Sequence, residues 1–364
     1  MTDRAWAATR KGLFELRRRT GVWQIAHTSF LGDPVSMLLP PIAQGPSAGA
    51  HAGRMIAALN LGHFGVKLHA SDDGGRQWQE LAAPAYPPQP AEASGPAWKL
   101  GLIWSLAAGH GTVWAGTLPG GLFRSADGGA SWQLIESLWQ LPERLQWMGG
   151  GYDAPGIHSI SLHPSQPGEL LVGVSCGGAW ASSDDGNSWA MRSQGLVADY
   201  MPPDQAENGA TQDPHCIAAC AAAPDVMWCQ HHSGIWRSSD AGRHWLRLNA
   251  PRSSFGFAVA AHPADPLTAW FVPAVADQCR VPVDGALVVN RTRDGGASFE
   301  TFGDCLPGAH CFDLIYRHGL AVADDGISLL MGSTTGNLWA SGDGGEHWAS
   351  VSQHLPPIYA VRFG

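Results

Sequence analysis

Short apolar runs alternate along this chain with clusters of Gly, Asp, Ser and Pro. Residues 103–108, 112–116, 122–125 and 132–135 each have the length and the β-branched or aromatic content of a strand. Four short strands in immediate succession predict one blade of a β-propeller. The same layout recurs over residues 35–81, 102–138, 157–192, 215–248, 257–302 and 310–351. An incomplete unit precedes them, with strands over 5–9, 12–17 and 23–28 but no fourth. Its missing inner strand is available as residues 358–363, and pairing it there would leave no open edge. The expected fold is all-β: one seven-bladed propeller domain over residues 1–364, made of four-stranded antiparallel blades, with the first blade completed by the C-terminal strand. Six blades is the alternative, with the first unit only a cap.

Between the third and fourth run of each unit lies a repeated turn. Ser125, Asp127, Gly129 and Trp132 define a Ser-x-Asp-x-Gly-x-x-Trp pattern. It returns at Ser71–Trp78, Ser182–Trp189, Ser238–Trp245 and Ser341–Trp348, and in a worn form at Thr292–Phe299. The copies are about 49–57 residues apart, a period that signals a repeat architecture. Ser and Asp side chains mimic turns by bonding to backbone N–H groups. Gly accepts a positive φ, and the aromatic ring starts the next strand. In the first unit Arg18 and Thr20 stand where Asp and Gly would be.

This turn resembles the Asp box, or BNR repeat, and the chain is similar to sialidase-like propellers and to bacterial BNR-repeat glycosyl hydrolases. The resemblance implies that the boxes lie away from the active site and report the fold. It also implies a glycoside hydrolase or glycan-binding protein acting at the channel mouth. True sialidase activity is not expected: the N-terminal Arg-Ile-Pro pattern of those enzymes is missing, and Arg10, Arg144 and Arg280 form no evident triad for a substrate carboxylate. Tyr359 or Tyr152 is the candidate nucleophile, with Glu207 as its acidic partner. For a two-carboxylate glycosidase the pool is Asp153, Asp199, Asp213 and Glu207. Related propellers that serve as assembly factors leave a non-catalytic scaffold as another alternative.

Charge narrows the partners. The formal net charge is −9 with no long basic run, which argues against nucleic acid and anionic membranes. A small molecule or glycan is the expected ligand. The first residues lack the apolar stretch of a signal peptide, and seven cysteines without regular spacing do not form a disulfide framework. A cytoplasmic location is therefore expected.

The residues that break the repeat carry the candidate chemistry. Insertions at 140–156 and 195–214 join one blade to the next and should lie at the mouth. Aligned inner-strand starts read His158-Ser159-Ile160, His215-Cys216-Ile217, His310-Cys311-Phe312, Trp104-Ser105-Leu106, Tyr359-Ala360-Val361, Phe257-Ala258-Val259 and Val35-Ser36-Met37. His231 and His232 end the second strand of the fifth unit. His158, His215, His231 and His310 are thus candidate ligands of a divalent metal, and a metal-dependent enzyme is an alternative function. Asp213 and Asp313 are candidates to orient those imidazoles. Arg10, Trp104, Tyr152, Arg280 and His232 are expected to contact the ligand. The competing interpretation of every one of these histidines is packing within a strand.

Overall fold

The computed structural model describes residues 2–43, 51–93 and 95–364. They form seven four-stranded antiparallel sheets, a seven-bladed β-propeller. Blade 1 contains Arg4–Thr9, Gly12–Arg19 and Val22–Ser29, and its inner strand is Ile358–Phe363 from the other end of the chain. Ala5 pairs with Phe363, Ala7 with Val361 and Ala8 with Ala360, so the expected completion of the blade holds. Among the described residues no helix is long and apolar enough to cross a membrane.

Contacts gather the blades into two compact units. Blades 2–4, with residues 208–213, make one. Their inner strands Val35–Leu39, Leu102–Gly109 and Ile157–Leu162 lie side by side. Blades 1 and 5–7, with residues 193–207, make the other. There Pro214–Cys220, Gly256–Ala261, Leu320–Val322 and Ile358–Phe363 are neighbours in that order.

Core residues sit between successive blades, as strand alternation requires. Trp114, Ile157, Val172 and Trp180 pack blade 3 on blade 4. Trp270, Val289, Leu329, Met331 and Trp348 pack blade 6 on blade 7. Truncating one such Trp to Ala costs about 3–5 kcal/mol. Gly116 shows how close the approach is: a Cβ there would collide with Ser105 Oγ and the Ile157 carbonyl. Ser105 Oγ uses that proximity to donate to Ile157 O at 2.8 Å.

All six repeated turns share one geometry. In each, the Ser or Thr hydroxyl donates to the Asp carboxylate over 2.7–2.9 Å. The Gly N–H donates back to that hydroxyl over 2.7–2.9 Å. The backbone N–H four residues beyond the Asp bonds to the carboxylate as well. The turn joins the third strand to the fourth, so within a blade it lies at the end opposite the start of the inner strand. The repeat aromatics bury unequally: Trp245 and Trp348 are buried, whereas Trp78, Trp132, Trp189 and Phe299 are only half-buried.

Candidate functional site

A structural device marks the inner-strand starts. In six blades the pairing register slips there, and the extra residue of the bulge falls at or beside the aligned position. Ser36, Trp104, His158, His215 and Tyr359 are the residues skipped, and in blade 6 Phe257 and Ala258 are. A bulge turns its residue out of the ladder and re-aims the side chain. The sequence alignment found this position in five blades. It was one residue early in blade 2, where Ser36 and not Val35 is skipped.

In blade 7 the alignment fails. The inner strand is Leu320–Val322, and His310-Cys311-Phe312 lies in a loop. His310 has φ +53° and is exposed, and Phe312 is 67% exposed. The physical reason is Asp313. It is buried and accepts hydrogen bonds from Ser333 Oγ at 2.6 Å, Asn337 Nδ2 at 2.8 Å, Cys311 Sγ at 3.2 Å and the Thr335 hydroxyl. A side-chain network fixes this segment where a β-ladder was expected. Burial pushes the Asp313 pKa up, but these donors outweigh it and hold the carboxyl below its ordinary range. Asp313 is an anion with a structural task and does not orient His310.

The other candidate ligands each have their own surroundings. His158 is fully buried, its Nδ1 2.9 Å from Ser159 Oγ and its ring edge-on to Trp104 at 5.6 Å. His231 turns into its own blade: Nδ1 accepts from the Ser233 N–H at 3.1 Å, and the ring meets Trp236 at 4.8 Å. The next residue, His232, lies past the end of the strand, in the turn. Its ring lies 5.4 Å from that of His215 and 4.5 Å from that of Tyr200.

His215 is the best-positioned of these groups. Its ring stacks on Phe257 at 4.5 Å with an 11° interplanar angle, and Phe255 meets it edge-on at 5.7 Å. Nδ1 lies 2.7 Å from the Gly256 carbonyl. A carbonyl only accepts, so Nδ1 carries a proton, and in the neutral imidazole Nε2 is then the ligand nitrogen. Pro214 pairs with His231, so hairpin register alone sets the residue before Pro214 beside the residue after His231. Asp213, His215 and His232 each offer one ligand atom, all within 4.8 Å of one another, and this group could hold a metal ion. The Asp213 carboxylate accepts from Cys176 N–H at 3.1 Å and Ser175 Oγ at 3.4 Å.

The remaining candidates are dispersed. Asp153 and Glu207 are exposed loop carboxylates. Asp199 pairs with Arg247 at 2.6 Å, and Arg144 lies on the Trp139 ring at 3.6 Å. Tyr152 stands edge-on to Trp104 at 5.1 Å. Burial raises the Tyr359 pKa against the opposing charge of Arg10, which is itself exposed. Arg280 lies in a loop over residues 274–288, between the second and third strands of blade 6 and so at the end of the blade where its inner strand starts. Sequence reading overlooked this loop as an insertion. The extra length of the sixth unit was its signal, hidden because the repeat period absorbs it.

No family model matches the chain, and neither does any curated protein. Among solved structures it is similar to a GH74 xyloglucanase from Xanthomonas campestris: TM-score 0.64, 16% identity, 98% of this chain and 52% of that one. An ancestral GH74 enzyme gives TM-score 0.58 at 13% identity, over 92% of this chain and 38% of the other. YCF48 from Cyanidioschyzon merolae gives 0.54 at 13%, over 86% and 87%. The chain thus spans about half or less of the GH74 enzymes it matches. Identities this low establish the propeller fold alone.

Proposed function

We propose that this protein is a metal-dependent enzyme acting on a small hydroxyl-rich ligand, with the ion on Asp213, His215 and His232. The observation that carries the reading is the convergence of two imidazoles and a carboxylate within 4.8 Å. Ligand atoms about 2.0–2.2 Å from a tetrahedral ion lie roughly 3.4 Å apart. Closure from 4.8 Å therefore asks for a movement of up to about 1.4 Å, which falls to half-buried His232 more readily than to buried His215. The His215 contact to the Gly256 carbonyl supports the reading, since metal-bound imidazoles usually donate their other N–H to such a partner. Three protein ligands leave a position for water or a substrate oxygen, where the ion acts as a Lewis acid. Tyr200, Phe255 and Phe257 provide the apolar wall typical of a small-ligand site.

The glycan side of the reading draws on the resemblance of the six turns to the Asp box and on the fold shared with GH74 hydrolases. A paired-carboxylate glycosidase has less support, because Asp153 and Glu207 are exposed loop groups. The partner is a small molecule, in keeping with the acidic net charge. A reducing cytoplasm is the proposed setting, in keeping with seven cysteines that show no regular spacing for a disulfide framework. The test is metal analysis of protein made without a His tag, then offered Zn²⁺, Mn²⁺ and Fe²⁺ after chelation. About one equivalent of one ion is expected, falling to background in Asp213→Ala and His215→Ala. Absence of any bound ion from the native chain overturns the reading.

A further inference from the structure

Phe257, the ring that carries His215, is also the meeting point of two loops that the metal group does not use. Arg280, on the loop 274–288, has its guanidinium carbon 5.3 Å from the Phe257 centroid. Arg317 approaches the same ring at 5.6 Å, and Tyr316 meets it edge-on at 4.9 Å. The Tyr316 hydroxyl accepts from Arg280 Nη1 at 3.3 Å. The loop is held in shape by its own bonds: Val275 N–H to Val281 O, Gly285 N–H to Pro282 O, and Cys311 N–H to Gly285 O. Arg280 is further clamped by Asp277, which accepts from Nε at 3.0 Å and from Nη2 at 2.5 Å.

We infer that the substrate carries an anionic group, a carboxylate or a phosphate ester, which binds against Arg280 and Tyr316 while its hydroxyl-bearing end faces the metal group. The inference rests on the metal reading above for the second half of that statement only. Three features carry it. Asp277 takes the Nε and Nη2 edge of Arg280 and leaves Nη1 toward Tyr316, so the clamp aims the guanidinium. A guanidinium offers five donors in a rigid fork suited to carboxylate and phosphate. A second guanidinium, that of Arg317, approaches the same ring from 5.6 Å, so the Phe257 ring gathers two cationic side chains. The Arg280 side chain is 33% exposed, open enough to meet a ligand. Its distance from the His215 ring is at most about 10 Å, the sum of the two separations through Phe257. That span suits a monosaccharide with one charged substituent and excludes a long polymer as the minimal ligand.

The test is calorimetric titration of the full chain, loaded with its metal, with D-galacturonate, glucose 6-phosphate and neutral galactose. One of the two anions is expected to bind at least tenfold more tightly than galactose, and which one names the group. Arg280→Gln should remove the preference with metal content unchanged, and Arg280→Lys should keep part of it. If neither anion is preferred, or if the preference survives in Arg280→Gln, the inference falls. If the preference depends on Arg280 but no metal is bound, the metal reading falls and this one stands.

Discussion

The two ends of each blade obey different rules. At the turn end, six copies of one hydrogen-bonded motif repeat with the same partners at nearly the same distances. At the mouth end, a bulge recurs in six blades, yet the bulged residues are Ser36, Trp104, His158, His215, Phe257 and Tyr359. The backbone device is kept and the side chain is varied. A periodic residue answers a demand that every blade shares, which is to close a turn. An aperiodic residue on a periodic bulge answers a demand made once. Substitutions at the turn end should therefore change stability, and those at the mouth end should change binding.

The largest effect belongs to neither end. Removing residues 358–364 takes the inner strand from blade 1 and exposes Ala5, Ala7 and Leu16, which pack with Ile358 and Val361. Losing two buried β-branched residues and a strand's pairing should cost about 5 kcal/mol or more. Thermal melting of the truncated chain is the check, and a melting temperature equal to that of the intact chain would refute the closure as a source of stability. His232→Ala comes next and probes the mouth. Metal affinity should fall at least a hundredfold, read by competition with a chelator, while the metal-free protein melts as before. Equal loss of stability and binding would erase the distinction between the two ends.

The turn end was almost fully legible in the sequence, and the mouth only in part. Ser-x-Asp-x-Gly is a local demand met by neighbouring residues, so the string states it outright. His215 was found because it begins an inner strand. His232 was named, but the metal was assigned to His231. The two are adjacent, and only the pairing of Pro214 with His231 decides which ring faces His215. His310 misled because Cys311-Phe312-Asp313 has the pattern of a strand, while the Asp313 carboxylate binds residues twenty or more positions away. The cluster on Phe257 draws on residues 215, 280, 316 and 317, a long-range juxtaposition that no local pattern encodes.

Asp127→Ala tests the turn end directly. Hydrogen bonds from Ser131 and Ser125 hold its carboxyl down at about 2. The group is largely solvated, so screening limits its worth, and a loss of about 1 kcal/mol is expected from the missing turn bonds. A depressed carboxyl contributes stability above its unfolded pKa and loses it as pH falls through the folded value. The wild-type advantage should thus vanish between about pH 4 and pH 2. Metal binding should be untouched, and a mouth defect in this variant would contradict the comparison.

The smallest effect distinguishes turns from one another. Ser131, Ser188 and Ser298 donate a hydroxyl to the turn carboxylate. His244 and His347 place an imidazole Nδ1 there instead, at 2.6 Å and 2.7 Å. A hydroxyl bond is indifferent to pH near neutrality, whereas an imidazole also brings a charge when protonated. The hydrogen bond to Asp343, helped by its charge, raises the His347 pKa. A raised folded pKa gives stability that is fully present below the unfolded value, near 6.5, and is lost as pH rises through the folded value. His347→Ser should then melt slightly below wild type at pH 5.5 and converge with it by pH 9, while Ser298→Ala shows the same deficit at both. The ring is solvated, so the shift should shrink further in high salt. A wild-type advantage that grows toward pH 9 would show that the imidazole holds this turn by packing, and that the two histidine turns are no different in kind from the three serine ones.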